Sequence, residues 1–167
     1  LFYRSIGFFE LCLWQMSSPS IVIYTDGAAL GNPGPGGYGA VLMFGPHRRE
    51  LSEGFRLTTN NRMELLAVIK ALQLIQDKSH SINIYTDSKY VCDAIEKGWL
   101  ENWRKKGYVK IKNPDLWQMF YKMKTEYKLK FHWVKGHAGI PENERCDYLA
   151  TTAAKENPTN IDAFYEQ

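Results

Sequence analysis

The sequence predicts an α+β fold, α/β-like in layout: a five-stranded mixed sheet, an antiparallel meander followed by parallel strands, with helices on both faces. Three observations carry that reading. The first third alternates β-branched and aromatic runs with turn residues. The pattern then changes to strand, helix, strand, and a crossover of that length calls for parallel pairing with the helix packed on the sheet. Finally, the tetrapeptide Ile-Tyr-Thr-Asp occurs twice, at 23–26 and at 84–87, each time closing a strand-like run.

Ile21 to Thr25 reads as a strand that stops at Asp26-Gly27, because a β-branched run meets turn residues there. The glycine- and proline-rich segment 31–37 is expected to sustain neither a helix nor a ladder. Strands are placed at Gly39 to Phe44 and Glu50 to Leu57, joined by 45–48. Thr58-Thr59-Asn60-Asn61 offers capping side chains, and Leu65, Val68, Ile69, Leu72 and Ile75 follow at helical spacing, which gives a helix of about four turns. Ile82 to Thr86 is the next strand, followed by a short helix through Val91, Ala94 and Ile95. Leu116 to Tyr127 reads as a helix and Lys128 to Val134 as the last strand. Pro141 opens the final helix, with Glu142 and Glu144 in its first turn.

A length of 167 residues leaves room for one domain, and 44% hydrophobic residues exclude a disordered chain. The expected boundaries are an unassigned N-terminal extension over 1–16, a domain over 17–157 and a C-terminal tail over 158–167. Residues 1–15 read as a translated upstream segment outside the working fold, because Met16 precedes Ser-Ser-Pro-Ser as a start would. Leu1 to Trp14 is apolar but broken by Arg4, Ser5 and Glu10, so neither a membrane span nor a signal peptide is expected. Cys12, Cys92 and Cys146 show no paired spacing, which excludes a cysteine zinc site and suits a reducing cytoplasm. The chain is expected to be a monomer without membrane contact. Net charge is only +3, yet the segment from Lys97 to Lys112 carries +5 of its own and leaves −2 for the remainder. Within it Trp99 and Trp103 lie one helical turn apart, with Arg104, Lys105 and Lys106 following directly, as on a surface that binds a polyanion. The alternative is a solvated charged helix whose tryptophans anchor it to the core.

The chemistry gathers on carboxylates. If the two Ile-Tyr-Thr-Asp strands are neighbours, Asp26 and Asp87 emerge side by side at strand C-termini, where open sheets build their sites. Each alone could be a turn or cap residue. Glu64 falls on the first turn of its helix, sharing a face with Val68, Ala71 and Ile75; a capping-box role with Asn60 or Asn61 is the alternative. Asp147 shares a face with Ala150, Thr151 and Ala154, and alone would read as a solvated charge beside Arg145. Four inward carboxylates without His or Cys partners favour a hard cation, Mg²⁺ or Mn²⁺. Two such ions ~4 Å apart suit phosphodiester hydrolysis. His137, set in Lys-Gly-His-Ala-Gly, is a candidate for proton exchange near neutral pH.

Six pieces in order, TDGAALGNPGPGGYGA, TTNNRMELLA, YTDSKYV, DLWQ, WVKGHAG and PENERCDYLA, make the chain resemble the type 1 ribonucleases H from Thr25 to Ala150. The resemblance implies a ribonuclease H-like fold and an endonuclease that hydrolyses the RNA strand of RNA–DNA hybrids, leaving 5′-phosphate and 3′-hydroxyl ends. It implies Asp26, Glu64, Asp87 and Asp147 as ligands of two Mg²⁺ ions, with Asp26 bridging both and Mn²⁺ as a substitute. His137 would aid proton transfer and product departure. Asn32, Thr59, Asn60, Asn61 and Asn113 would touch backbone phosphates or minor-groove base edges, and Glu64 would also sense a ribose 2′-hydroxyl. Two departures stand out: the basic segment from Gly98 to Pro114 is several residues shorter than in well-known bacterial members, and Tyr108 replaces a tryptophan. Other readings fit less well. A binding module needs no four inward acids, a kinase of the same superfamily needs a second domain, and a transposase or integrase core has three acids and no basic, tryptophan-bearing insertion.

Overall fold

The structure, a computed structural model, describes residues 19–156 and 158–166. Five strands form one sheet in the order β3-β2-β1-β4-β5: β1 (Ile21–Ala29), β2 (Gly34–Phe44), β3 (His47–Thr58), β4 (Ser81–Thr86) and β5 (Lys128–Trp133). β1, β2 and β3 pair antiparallel, while β4 and β5 run parallel to β1, as expected from the crossover. The helices are α1 (Asn60–Gln73), α2 (Lys89–Glu96), α3 (Trp99–Lys105), α4 (Pro114–Lys124) and α5 (Pro141–Glu156).

Three strand boundaries differ from expectation by three residues or more, one of them the start of β3, at His47 inside the expected loop and not at Glu50. β1 continues through Asp26 and Gly27 to Ala29, and β2 begins inside the glycine-rich segment at Gly34, because Ala28 and Ala29 pair with Gly37 and Gly36. Leu30 donates its amide to Pro35 O at 2.7 Å and closes the turn. The glycines serve close approach: a Cβ at Gly39 would stand 2.3 Å from Cys146 O, so α5 lies flush on β2. Cys146 and Ala150 of α5 are fully buried against this face.

On the other face, Ile23 and Ile84 of the sheet meet Leu65, Val68, Ile69 and Leu72 of α1, with Leu116, Trp117 and Phe120 of α4 completing the core. Burying one such aliphatic side chain contributes about 1.5–3 kcal/mol, so this layer drives the fold. Thr59, not Asn60 or Asn61, caps α1 by accepting from Arg62 N. Cys92 and Cys146 are buried free thiols, whereas Cys12 lies outside the described residues, as do 1–16 with the extension expected there. The segment expected to be a tail is joined to the domain. Asn160 pairs with Phe55 on β3, and buried Asp162 takes Arg62 of α1 in a two-pronged ion pair, Nε to Oδ2 at 2.6 Å and Nη2 to Oδ1 at 2.7 Å.

Candidate active site

The two Ile-Tyr-Thr-Asp strands are neighbours and in register: Ile23 pairs with Ile84, Tyr24 with Tyr85 and Thr25 with Thr86. Asp26 and Asp87 therefore leave the sheet side by side. Neither needs its alternative role. Asp26 stays within β1 and accepts from Gly27 N at 2.7 Å, and the cap of α2 is Ser88, whose hydroxyl accepts from Val91 N.

Glu64 is the fifth residue of α1, in the second turn and not the first, so it is not part of a capping box. Its carboxylate is held instead by Asn60 Nδ2 at 2.8 Å and by the Ser88 hydroxyl. A Cβ at Gly27 would fall 2.2 Å from Glu64 N, and this absence of a side chain lets α1 bring Glu64 against β1. Asp147 is half-buried on α5, and Arg145 turns away from it to grip Glu50 at 2.9 Å. Asp26, Glu64, Asp87 and Asp147 line one cleft of about 380 Å³ with Asn60, Gly136, His137 and Thr151, and among the described residues no Lys or Arg lines it. His137 is exposed, at φ +51° in the loop between β5 and α5.

The electrostatics follow from that crowding. Asp26 is 7% exposed, and burial, together with the charge of Asp87, pushes its carboxyl up to about 8 against the pull of the Gly27 amide. Burial also lifts Glu64 to about 7, helped by Asp87 and opposed by its bonds to Ser88 and Asn60. Two acids that cannot comfortably ionise together mark a site that wants a cation. Among the described residues no three His, Cys, Asp or Glu side chains stand close enough together to hold a metal ion between them. A divalent cation taken up there would rest on one or two of these carboxylates, with waters and substrate phosphates completing its shell.

The residues expected at the substrate separate into groups. Asn60 lies in the acid cleft, and its backbone amide donates to Asn32 Oδ1 at 3.2 Å. Asn32, Thr59, Asn61 and Asn113 line an adjoining cleft of about 420 Å³ with Lys112, Phe164 and Tyr165. Lys112 brings the end of the basic stretch to that cleft, while the rest of it lies on and around α3. Trp99 is 40% exposed with Lys97 over its ring, but Trp103 packs on Trp117 at 5.3 Å between ring centres and joins the core, so its main role is as an anchor. Arg104 pairs with Glu101 and lies over Tyr121, while Lys105 and Lys106 are exposed. Sequence reasoning missed Ser88, Gly136, Asn143 and the Arg62–Asp162 pair. A roomier apolar cleft bounded by Ile21, Leu42, Phe44 and Ile75 contains a single acid, Asp77, among the described residues.

Comparison with known proteins agrees with this geometry. The RNase H family model matches residues 18–155. A ribonuclease H of Desulforamulus reducens is 56% identical over 147 residues, 85% of this chain and 92% of that protein. The ribonuclease HI of a Synechocystis species is 49% identical over 149 residues, 86% and 92% of the two chains. Among solved structures, LC9-RNase H1, described as a type 1 RNase H with the type 2 active-site motif, superposes with TM-score 0.74 at 32% identity over 84% of this chain and 74% of that one. LC11-RNase H1, solved in complex with an RNA/DNA hybrid, gives TM-score 0.61 at 31% identity over 81% and 96%. With a family match spanning the domain and relatives of this identity over most of their length, the chain belongs to the ribonuclease H family, as a type 1 ribonuclease H.

Proposed function

We propose that the protein cuts the RNA strand of RNA–DNA hybrids internally by hydrolysis, leaving 5′-phosphate and 3′-hydroxyl ends, with two divalent cations held by Asp26, Glu64, Asp87 and Asp147. The observation that carries this reading is a cleft lined by four carboxylates and, among the described residues, by no Lys or Arg. The donor set is all oxygen, which fits Mg²⁺, with Mn²⁺ as a substitute. Such ions, when bound, would align the attacking and leaving oxygens of a phosphodiester and neutralise its charge.

The chain's own groups supply the rest. Ser88 and Asn60 fix the orientation of Glu64, and the Gly27 amide fixes one oxygen of Asp26. Placed in the cleft, Glu64 is suited to test for a ribose 2′-hydroxyl, the group that separates RNA from DNA. Asn32, Thr59, Asn60, Asn61 and Asn113 offer amide and hydroxyl groups to backbone and minor-groove atoms, and Trp99, Lys105 and Lys106 offer an aromatic face and positive charge farther along the duplex. No described helix is long and apolar enough to cross a membrane. We read the protein as a cytoplasmic monomer. The function is tested with labelled hybrid, double-stranded RNA and double-stranded DNA in one buffer, with Mg²⁺ or EDTA, and with the ends of the products analysed. Cleavage confined to the RNA of the hybrid and abolished by EDTA is expected; equal cutting of double-stranded RNA overturns the reading.

His137 lines the cleft, and in this reading its imidazole moves a proton there, so His137→Ala is expected to lower kcat by ~10²–10⁴-fold without abolishing it. Complete inactivity at saturating Mg²⁺ would make His137 a ligand instead.

Replacing Arg104, Lys105 and Lys106 together by Ala is expected to raise KM and to flatten log affinity against log salt by about 0.9 for each phosphate no longer neutralised. The Arg104 share is reduced, since it already pairs with Glu101. A fall in kcat at unchanged KM and salt slope would show that α3 supports the fold and does not grip substrate.

A further inference from the structure

Asn143 lies on the first turn of α5, four residues before Asp147, and is 2% exposed. Its Nδ2 donates to Asp87 Oδ2 at 3.3 Å, while its Oδ1 is buried without a hydrogen-bond partner among the described residues. The amide orientation follows from chemistry, since the flipped form would press oxygen against a carboxylate oxygen. An unpartnered buried acceptor is costly and uncommon, so the amide is kept at this position for what its Nδ2 does. The same Asp87 Oδ2 is closed in from another side by Gly136, where a Cβ would stand 2.6 Å away. Trp133 Nε1 donates to Asp87 O at 3.0 Å. The end of β5, the His137 loop and the start of α5 thus converge on one aspartate.

Building on the cation-site reading above, we infer that Asn143 is a positioning residue for Asp87. Its Nδ2 engages one carboxylate oxygen, Oδ2, which would leave the other free to face a divalent cation. Groups that orient ligands in this way typically alter metal affinity 10–100-fold when removed. Gly136 contributes by having no side chain, which lets the loop close against Asp87.

The test is calorimetric titration of Mg²⁺ into the wild type, Asn143→Ala, Gly136→Ala and Asp87→Asn, with steady-state kinetics on a hybrid beside it. Asn143→Ala and Gly136→Ala are each expected to weaken Mg²⁺ binding and raise the half-activating Mg²⁺ concentration by about tenfold or more, with KM for hybrid unchanged. Their double variant should lose less than the product of the two, since both act on one carboxylate. A merely structural asparagine would lower Tm and leave Mg²⁺ affinity where it was, and that result overturns the inference. If Asn143→Ala does not fold, Asn143→Ser keeps a polar group in the buried position and gives the same readout. The cation-site reading fails separately, if Asp87→Asn binds Mg²⁺ as the wild type does.

Discussion

Asp26→Asn is expected to cut turnover by ~10³-fold or more while making the cation-free protein more stable above neutral pH. The loss follows from removing a charged ligand at the centre of the acid cleft. The gain follows from linkage. In the fold the carboxyls of Asp26 and Glu64 hold their protons up to about 8 and about 7, whereas in the unfolded chain they release them near their ordinary values of 3.8 and 4.5. Between those limits the folded state binds more protons than the unfolded one, so stability falls as pH rises through the window. An amide at position 26 removes the largest part of that penalty. In EDTA, Tm of the variant should match or slightly exceed wild type at pH 5 and exceed it by several degrees, roughly 3–8 °C, at pH 8. Thermal melts at the two pH values, with turnover at saturating Mg²⁺, check both halves. Near-wild-type turnover, or a variant less stable at pH 8 than at pH 5 relative to wild type, would contradict the assignment.

Arg62→Met is expected to cost about 3–5 kcal/mol, because it leaves the buried Asp162 and the half-buried Asp115 without their shared cation. Arg62 is 2% exposed and reaches Asp162 through Nε and Nη2. It reaches Asp115 at the start of α4 through Nη1 at 2.9 Å and Nη2 at 2.7 Å, and Asn113 Oδ1 at 3.3 Å. Asp162 has a second donor in the Thr58 hydroxyl at 2.8 Å, which satisfies a lone pair but not the charge. One guanidinium therefore ties α1, α4 and the C-terminal segment together beneath the cleft that holds Asn32, Thr59 and Asn113. Tm should fall by roughly 6–20 °C, and KM for hybrid should rise at temperatures where the variant remains folded. A melt within ~2 °C of wild type would show that the network is dispensable.

The parallel core and the acid cleft are legible in the sequence for a local reason. The repeated Ile-Tyr-Thr-Asp places the two aspartates just past the paired stretches that end at Thr25 and Thr86, although β1 itself runs on to Ala29, and the structure sets those stretches in register. Glu64 and Asp147 are legible as charges on otherwise apolar or small helix faces. The start of β2 is not, because glycine-rich sequence reads as turn. The pairing of Gly36 and Gly37 with β1, and the flush packing of α5, where Ala150 O would stand 2.6 Å from a Cβ on Gly37, show that these glycines belong to a strand. The anchoring of the C-terminal segment is hidden because it joins Arg62 to Asp162 across 100 residues, a pairing without periodicity or local spacing. Charge and spacing alone mark Trp103 as a substrate-binding residue, and its packing on Trp117 depends on where α4 lies. Asn143 carries no signal, since an asparagine in a helix's first turn looks like any polar surface residue until its burial is known.

The four-carboxylate cleft is expected to take divalent cations at the expense of protons, and titrating Mg²⁺ into the wild type at pH 7 in two buffers of different ionisation enthalpy reads that exchange. With Asp26 at about 8 and Glu64 at about 7, binding should release on the order of one proton per protein, and Asp26→Asn should lose both the binding and the release. Mg²⁺ binding without proton release, equal in the wild type and in Asp26→Asn, would place the cation outside this cleft and contradict the account.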